Sequence, residues 1–265
     1  ADIFDNLAAL ERQFHHLVRT VPGTGRVVVN ADEESLQRVL AQGCWSEVAG
    51  FGLGTQAQWR VEGEPHDFGV MHNGREIARV QWDITGVHNQ LNALATLAAA
   101  DHLRIPVAQA AQALAQFQNV RRRMEVRGSV ERAGGSITVY DDFAHHPTAI
   151  RTTLDGLRRK VGHQARILAV FEPRSNTMKL GTMKSQLPWS LEQANLAFCH
   201  SGGLDWDAGE ALRPMGERAQ VGDSIETVVT QVVQAAQAGD HILCMSNGGF
   251  GGIHDKLLKA LAAAG

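Results

Sequence analysis

The chain has 265 residues, of which 44% are hydrophobic, and this is enough for one large domain or two smaller ones; we expect two. The formal net charge of -3 leaves no overall positive field to attract nucleic acid or an anionic membrane. No apolar stretch reaches the length of a membrane span. The three cysteines, Cys44, Cys199 and Cys244, are far apart in apolar contexts, which favours reduced thiols and a cytoplasmic protein.

The first half of the chain predicts a mixture of helices and strands. Hydrophobic residues recur at helical spacing over residues 3–18, from the start of the sequence, so we expect the chain to begin inside a domain. A strand over residues 26–29 and a helix over residues 35–40 follow. Residues 68–71 and 77–80 predict a hairpin, because Asn73-Gly74 between them favours a tight two-residue turn. The patterns then predict helices over residues 89–102 and 106–116.

The second half predicts a hairpin followed by alternating helices and strands. The hairpin joins residues 124–131 to residues 136–140. The later helices are expected over residues 148–161, 189–194, 224–238 and 253–264, and the strands over residues 166–171, 196–199 and 241–245. Strands separated by helices predict a doubly wound, mainly parallel sheet. The expected fold class is therefore α/β, with domains at residues 1–123 and 124–265.

The segment Gly86-Val87-His88-Asn89-Gln90-Leu91-Asn92-Ala93 lies where a strand gives way to a helix. Asn89 and Asn92 are one helical turn apart and share a face. Each carboxamide offers a donor and an acceptor, which is what the edge of an adenine base requires. Asn89 as a simple helix cap is an equally good interpretation at this point.

Two further segments carry concentrated polar chemistry. Arg121-Arg122-Arg123 lies at the expected domain boundary and indicates either a solvated charge run, which is the commoner case, or a clamp for a polyphosphate. Residues 140–148 follow a strand and contain paired aspartates and paired histidines, which suit ribose hydroxyls and phosphate. The alternatives are a loop in which an aspartate caps the next helix and one histidine is merely exposed, or a metal site that needs another ligand.

Three of these segments together resemble a known family. GVHNQLNA, the RRRME run and DDFAHHPTAI are similar, in order and spacing, to the central and C-terminal parts of the Mur ligases, which build the peptide of bacterial peptidoglycan with ATP. The run Phe171-Glu172-Pro173-Arg174-Ser175-Asn176-Thr177-Met178-Lys179 is similar to the branch that joins the tripeptide L-alanyl-γ-D-glutamyl-meso-diaminopimelate to UDP-N-acetylmuramate. The alternative is the branch that adds L-alanine.

The resemblance implies a role for individual residues. His88, Asn89, Asn92, Arg123 and Asp142 are expected to bind ATP, with the two asparagines at the adenine, Arg123 at the phosphates and Asp142 at the ribose. His145 is expected to be catalytic, near the phosphates. Arg174 and Asn176 are expected to contact the incoming amine substrate, and a local turn-stabilising role is an equally good alternative for both. The two asparagine carboxamides, the Arg123 guanidinium and the Asp142 carboxylate are expected to converge on one bound nucleotide at the boundary between the domains.

Other parts that the family uses are missing from the sequence. The phosphate-binding loop is absent, and Gly181-Thr182-Met183-Lys184-Ser185 is not a substitute because Met183 stands where a glycine is needed. The resemblance places the Mg²⁺ ligands before Ala1, so no metal ligand is expected here. The domain for the uridine nucleotide is also absent. We therefore expect a fragment of an ATP- and Mg²⁺-dependent ligase that is inactive alone, with no nucleic-acid partner, no membrane insertion and an oligomeric state that the sequence does not define.

Two other classes of protein are consistent with parts of the sequence. The run Asn247-Gly248-Gly249-Phe250-Gly251-Gly252 between a strand and a helix suits the phosphates of a dinucleotide in an oxidoreductase. The ribose-binding acid expected about twenty residues later would lie beyond Gly265, so glycines that permit close packing are favoured instead. A non-catalytic module that binds a nucleotide or peptide is the third possibility.

Overall fold

A computed structural model describes residues 4–264, with the side chains of residues 176 and 177 outside the described part. It divides into two compact units, residues 1–118 and residues 119–265. The expected α/β fold class is confirmed, because each unit combines a sheet with helices. Ile3, the first residue of the predicted N-terminal helix, lies outside the described residues.

The first unit contains a five-stranded sheet in the order β1-β2-β3-β4-β5. Strands β1 and β2 are parallel, whereas β3, β4 and β5 form an antiparallel meander. The elements of this unit are α1 (Leu7–Val18), β1 (Arg26–Asn30), α2 (Glu34–Ala41), β2 (Glu47–Phe51), β3 (Trp59–Glu64), β4 (Asp67–His72), β5 (Arg75–Gln81), α3 (Val87–His102) and α4 (Val107–Ala115). The predicted hairpin is confirmed, since Asn73 and Gly74 between β4 and β5 both have positive φ.

Helix α3 positions the first candidate segment. Its buried face, with Leu94 and Leu97 fully covered, packs in one core with Trp59, Phe68 and Val80 of the sheet. This apolar face fixes the helix on the sheet, and its N-terminal turn carries the polar residues at positions 88, 89 and 92.

The second unit contains a six-stranded sheet in the order β10-β9-β8-β11-β7-β6. All neighbouring pairs are parallel except β6 and β7, the predicted hairpin. The elements are β6 (Glu125–Arg132), β7 (Gly135–Asp142), α5 (Pro147–Val161), β8 (Ile167–Phe171), α6 (Asn176–Lys179), α7 (Leu187–Ser190), β9 (Leu196–His200), α8 (Ala208–Leu212), β10 (Ala219–Gly222), α9 (Ile225–Ala235), β11 (His241–Met245) and α10 (Ile253–Ala263), with short 3-10 helices at Lys184–Gln186, Arg213–Arg218 and Phe250–Gly252.

The sheet of the second unit is covered on both faces. Leu154 and Leu157 of α5 belong to a core on one face, and Val228 of α9 and Leu257 of α10 belong to a separate core on the other. This arrangement confirms the doubly wound architecture expected from the sequence. It also brings the carboxyl ends of four strands to one edge of the sheet, because these strands are parallel: β7, β8, β9 and β11.

Three helix predictions were wrong in their bounds. The helix predicted from residue 3 begins at Leu7, because the side chain of Asn6 caps it by accepting from the Ala9 N–H at 2.9 Å. The helix predicted over residues 189–194 is one turn at Leu187–Ser190 that opens with Pro188 near its N-terminus, and the chain then turns toward β9. The backbone N–H of Asn195 donates to the carbonyl of Ile167, and Asn195 Oδ1 accepts from the Ile167 N–H, so strand pairing starts there and ends the helix. The helix predicted to reach residue 238 ends at Ala235, because the next residue is extended.

Candidate functional site

The N-terminus of α3 starts at a glycine whose conformation an L-residue rarely adopts. Gly86 is the N-cap and has φ +94°. A Cβ atom there would lie 2.6 Å from Cε1 of His88, so the imidazole packs directly over the glycine. His88 itself is exposed. The glycine therefore allows both the turn into the helix and the position of the histidine ring.

The two asparagines that follow lie on the same side of α3. Asn89 is half-buried, and its Nδ2 donates to the carbonyl of Thr85 at 2.8 Å. Asn92 is exposed, and its Nδ2 lies 3.4 Å from Oδ1 of Asn89. The cap position belongs to Gly86, so the interpretation of Asn89 as a simple helix cap is not what the structure shows. The pair presents carboxamides at a helix N-terminus.

In the second unit, Asp142 at the end of β7 is buried, and its carboxylate accepts three hydrogen bonds. Its Oδ2 accepts from the backbone N–H of Met124 at 2.9 Å, and its Oδ1 accepts from the Ala144 N–H at 2.8 Å and from Thr153 Oγ1 at 3.2 Å. Burial raises the pKa of Asp142 above its usual range, although these hydrogen bonds act in the opposite direction. The carboxylate thus fastens the chain before β6 and the chain after β7 to helix α5.

Asp141, the preceding residue, points to the opposite face of the sheet, as alternation along a strand requires. Its carboxylate lies 3.2 Å from Nε2 of His254 on α10 and 3.5 Å from both the Arg122 and the Arg127 guanidinium groups. Burial alone would raise the pKa of Asp141, but His254 and Arg122 outweigh it and hold the pKa below its usual range. Asp142 therefore connects backbone segments to α5, whereas Asp141 forms charge interactions on the opposite face of the sheet.

The run of three arginines divides in the same way. Arg122 is partly buried, and its Nη2 donates to the carbonyls of Ser246 at 2.5 Å and Gly248 at 2.7 Å. Arg123 is exposed, with its guanidinium carbon 5.3 Å from the centroid of the Phe143 ring. Arg121 is also exposed. Both guanidinium groups lie over the Phe143 ring, Arg122 at 5.2 Å, but Arg122 is held by the two carbonyls whereas the charge of Arg123 is exposed.

His145 and His146 follow Asp142 in the chain. Nδ1 of His145 lies 3.0 Å from the carbonyl oxygen of Phe143, and because a carbonyl only accepts, this nitrogen carries the proton. Nε2 of a neutral His145 ring is then an acceptor. His146 is the N-cap of α5 and accepts from the Thr148 N–H, so a histidine rather than an aspartate caps this helix. Burial, followed by the charge of His145, lowers the pKa of His146.

The segment after β8 carries the residues expected to contact the amine substrate. Arg174 is exposed and lies beside Glu172, with 3.9 Å between Nη1 and Oε1. Asn176 begins the short helix α6, and its side chain lies outside the described residues. Trp206 from the loop after β9 donates from Nε1 to the carbonyl of Met178 at 2.8 Å. This hydrogen bond connects the segment after β8 to the loop after β9.

Two glycines of the glycine-rich run before α10 lie close to side chains from other segments of the second unit. A Cβ on Gly248 would lie 2.3 Å from Nη1 of Arg174, and a Cβ on Gly251 would lie 2.9 Å from Cγ1 of Ile225. These glycines therefore admit close packing, as the favoured interpretation expects. Their environment gives the oxidoreductase alternative no support.

Residues 4–264 contain no group of three or more histidine, cysteine, aspartate or glutamate side chains that could hold a metal ion. The described residues therefore offer no set of such ligands that fits the Mg²⁺ implied by the family resemblance. The same part of the chain has no helix that is long and apolar enough to cross a bilayer.

Two residues of the second unit that the sequence did not indicate as candidates are Glu172 and Ser246. Glu172 and Ser246 form a buried hydrogen-bonded pair at the carboxyl edge of the sheet. Both residues directly follow buried strands, β8 and β11, and this position was a signal that could have identified them. Their proximity depends on β8 and β11 being neighbours in the sheet, which the sequence order does not reveal.

Two family models match the chain. The model for the Mur ligase middle domain matches residues 1–100, and the model for the Mur ligase glutamate ligase domain matches residues 122–248. The matches fall in the first and second units, respectively.

Individual relatives agree with the family models. The chain is 46% identical over 99% of its length to the UDP-N-acetylmuramate--L-alanyl-gamma-D-glutamyl-meso-2,6-diaminoheptandioate ligase of Escherichia coli. It is 33% identical over 65% of its length to the UDP-N-acetylmuramate--L-alanine ligase of Salinibacter ruber, covering 36% of that protein. The crystal structure of a murein peptide ligase from Psychrobacter arcticus matches 98% of the chain, with 39% identity and a TM-score of 0.73. The chain spans 57% of the Escherichia coli relative and 56% of the Psychrobacter chain.

Proposed function

Since the chain belongs to the Mur ligase family, we propose that it forms the part of an ATP-dependent peptide ligase that holds ATP and the incoming amine. The acceptor is UDP-N-acetylmuramate, and the amine is that of the tripeptide L-alanyl-γ-D-glutamyl-meso-diaminopimelate. The observation that supports this choice most strongly is the higher identity, over nearly the whole chain, to a ligase named for this peptide than to one named for L-alanine.

The reaction has two steps that conserve atoms and charge. The muramoyl carboxylate attacks the γ-phosphorus of ATP, which forms an acyl phosphate and releases ADP. The neutral amine of the tripeptide then attacks the acyl carbon, phosphate leaves with the bonding electrons, and the new amide loses the amine proton. Holding both reactants in one geometry is the main contribution that such an enzyme makes.

Five residues are proposed to bind ATP. Asn89 and Asn92 present the carboxamides that suit the adenine edge, and His88 lies beside them. Arg123 is exposed and unlike Arg122 is not hydrogen-bonded to the carbonyls of the glycine-rich turn, so its guanidinium suits the phosphates. Asp142 is proposed to hold the ribose, because its Oδ2 accepts, among the described residues, only from the Met124 N–H and so retains the capacity to accept from a ribose hydroxyl.

The remaining candidates act on the reacting groups. His145, with its Nδ1 proton committed to the Phe143 carbonyl, offers Nε2 toward the phosphate end. Arg174 has an exposed guanidinium that suits a carboxylate of the tripeptide, and Asn176 follows it on the same segment.

The test joins this chain to the segment of the Escherichia coli relative that the chain does not cover, and measures phosphate release. We expect the chimera to release phosphate from ATP only when UDP-N-acetylmuramate and the tripeptide are both present. The His145→Asn variant of the chimera tests the catalytic role of His145, and we expect it to lose at least about 90% of the rate, in line with general acid–base contributions of roughly 10²-fold.

Two results would decide against the proposal. Equal rates with L-alanine and with the tripeptide would assign the L-alanine branch or a mixed specificity instead. ATP binding without phosphate release under any combination of substrates, by a chimera that is folded, would favour a non-catalytic nucleotide-binding module.

A further inference from the structure

Glu172 places its carboxylate at the edge of the second unit's sheet where the parallel strands end. It is not among the residues proposed to bind ATP or the tripeptide. Glu172 directly follows β8, His200 is the last residue of β9, and Ser246 directly follows β11. These strands are neighbours in the order β9-β8-β11. The three side chains, here called the edge cluster, therefore lie where open α/β sheets bind their ligands.

The Glu172 carboxylate is buried and held in place. Ser246 Oγ donates to Oε1 of Glu172 at 2.5 Å, and Ser246 Oγ in turn accepts from the backbone N–H of Gly248 at 2.9 Å. Nδ1 of His200 lies 3.7 Å from the other carboxylate oxygen. A buried carboxylate is costly without partners, and a guanidinium beside it adds an opposite charge to the hydrogen bond from Ser246.

The charge next to this carboxylate is the guanidinium of Arg174. Its Nη1 is 3.9 Å from Oε1 of Glu172, and it lies so close to Gly248 that a Cβ there would be 2.3 Å away. The side chain of Arg174 is nevertheless 55% exposed. One side of the guanidinium thus rests on Glu172 and the Gly248 backbone, and the other side is open to a ligand.

The backbone under Arg174 is itself fixed. Arg122 Nη2 donates to the carbonyls of Ser246 and Gly248, which holds the turn that carries both residues. Arg174 therefore lies against a backbone turn that Arg122 holds in place, so the support for its guanidinium does not have to be ordered when a ligand binds. Less ordering on binding leaves more of the contact energy for affinity.

We propose that Glu172 is a positioning residue that holds the Arg174 guanidinium over Gly248, so that its open N–H groups bind a carboxylate of the incoming tripeptide. This inference rests on the proposed function for the identity of the peptide. It goes beyond that function by assigning to Glu172, Ser246 and Gly248 the geometry of the carboxylate contact.

The test titrates the 265-residue chain with the tripeptide L-alanyl-γ-D-glutamyl-meso-diaminopimelate and with the same tripeptide in which every carboxylate is amidated, using NMR shift changes. We expect Glu172→Gln to weaken binding of the tripeptide by about fivefold to tenfold and to leave the affinity for the amidated peptide unchanged, because only the charged peptide uses the oriented guanidinium. Gly248→Ala displaces the same guanidinium and is expected to have the same selective effect.

Glu192→Gln is the matched control, since Glu192 also pairs with an arginine of this unit, Arg151 at 2.9 Å, but outside the edge cluster. Its affinities are expected to equal those of the wild type. An unchanged tripeptide affinity in Glu172→Gln, or an equal loss for both peptides, would overturn the inference and leave the proposed function standing. A wild-type chain that does not bind the tripeptide would overturn both the inference and the choice of amine substrate in the proposed function.

Discussion

Adjacent residues of the same type have different environments in this protein. Asp141 and Asp142 end one strand but point to opposite faces, toward α10 and α5 respectively. Arg122 is bonded to the carbonyls of Ser246 and Gly248, whereas Arg123 is exposed. The chemical type of a residue therefore indicates what it can bind, and the face on which it lies decides whether it is available.

The assignment of the phosphate contact to Arg123 can be tested against its neighbour. We predict that Arg123→Ala weakens ATP binding by about tenfold or more, because an arginine–phosphate contact is charge-assisted. Arg121→Ala, an exposed arginine two residues earlier, is expected to leave the affinity unchanged. Calorimetric titration of the chain with ATP measures both. Equal affinities for Arg123→Ala and Arg121→Ala would remove Arg123 from the proposed site.

The buried charge of Asp141 gives a prediction with a defined pH dependence. Its pKa is lowered in the folded protein, so the stabilisation is complete above the unfolded value of 3.8 and is lost as the pH falls through the folded value. We predict that Asp141→Asn lowers the free energy of unfolding by about 2 kcal/mol at pH 7, because Arg122 and His254 lose the buried carboxylate that they contact. Below pH 3.8 the difference from the wild type should shrink.

Asp255→Asn is the control for this experiment, since Asp255 contacts the same Arg127 at 3.7 Å but is exposed. Its effect is expected to stay below about 1 kcal/mol at pH 7. Denaturant unfolding at pH 7 and below pH 3.8 measures both variants. A difference for Asp141→Asn that grows as the solution is acidified would contradict the assigned charge interactions.

At the scale of the residues, the sequence predicted the candidate positions but not their environments. The motifs around Asn89, Arg123 and Asp142 were recognisable as segments that carry polar chemistry. The internal bonds of Asp142 could not be predicted, because Met124 and Thr153 reach it only through the pairing of β6 with β7 and the packing of α5.

At the scale of the elements, the turn into α3 depends on the glycine that precedes it. We predict that Gly86→Ala destabilises the first unit by about 2 kcal/mol, because positive φ strains an alanine and its Cβ also meets the His88 ring. Gly74→Ala is the matched control: it has a similar positive φ but nothing within 4 Å of its Cβ, and we expect about 1 kcal/mol. Denaturant unfolding measures both, and an equal loss in the two variants would show that the contact with His88 has no energetic consequence.

Element types were predictable where periodicity was long and the breakers were clear. The hairpin with Asn73-Gly74 and the helix over residues 148–161 are examples, and the latter is observed at Pro147–Val161. Short elements were not predictable. Strand β10 has four residues, and helices α6 and α7 have four each, so tertiary contacts such as the Asn195–Ile167 pair decide their ends.

At the scale of the whole molecule, the order of chain elements predicted the class of fold but not the order of strands. Alternating helices and strands indicated a parallel sheet in the second unit, which is observed with an antiparallel edge strand. The position of β11 between β7 and β8 follows from long-range packing. That position places Ser246 beside Glu172, so the edge cluster became visible only in the structure.

The chain spans 57% of the length of its Escherichia coli relative, so the peptide that the whole ligase joins is the central proposal about the molecule. The most direct measurement offers the chimera equal concentrations of L-alanine and the tripeptide, with ATP and UDP-N-acetylmuramate, and weighs the products by mass spectrometry. The proposal predicts that UDP-N-acetylmuramoyl-tripeptide is the dominant product. Dominant formation of UDP-N-acetylmuramoyl-L-alanine would contradict it.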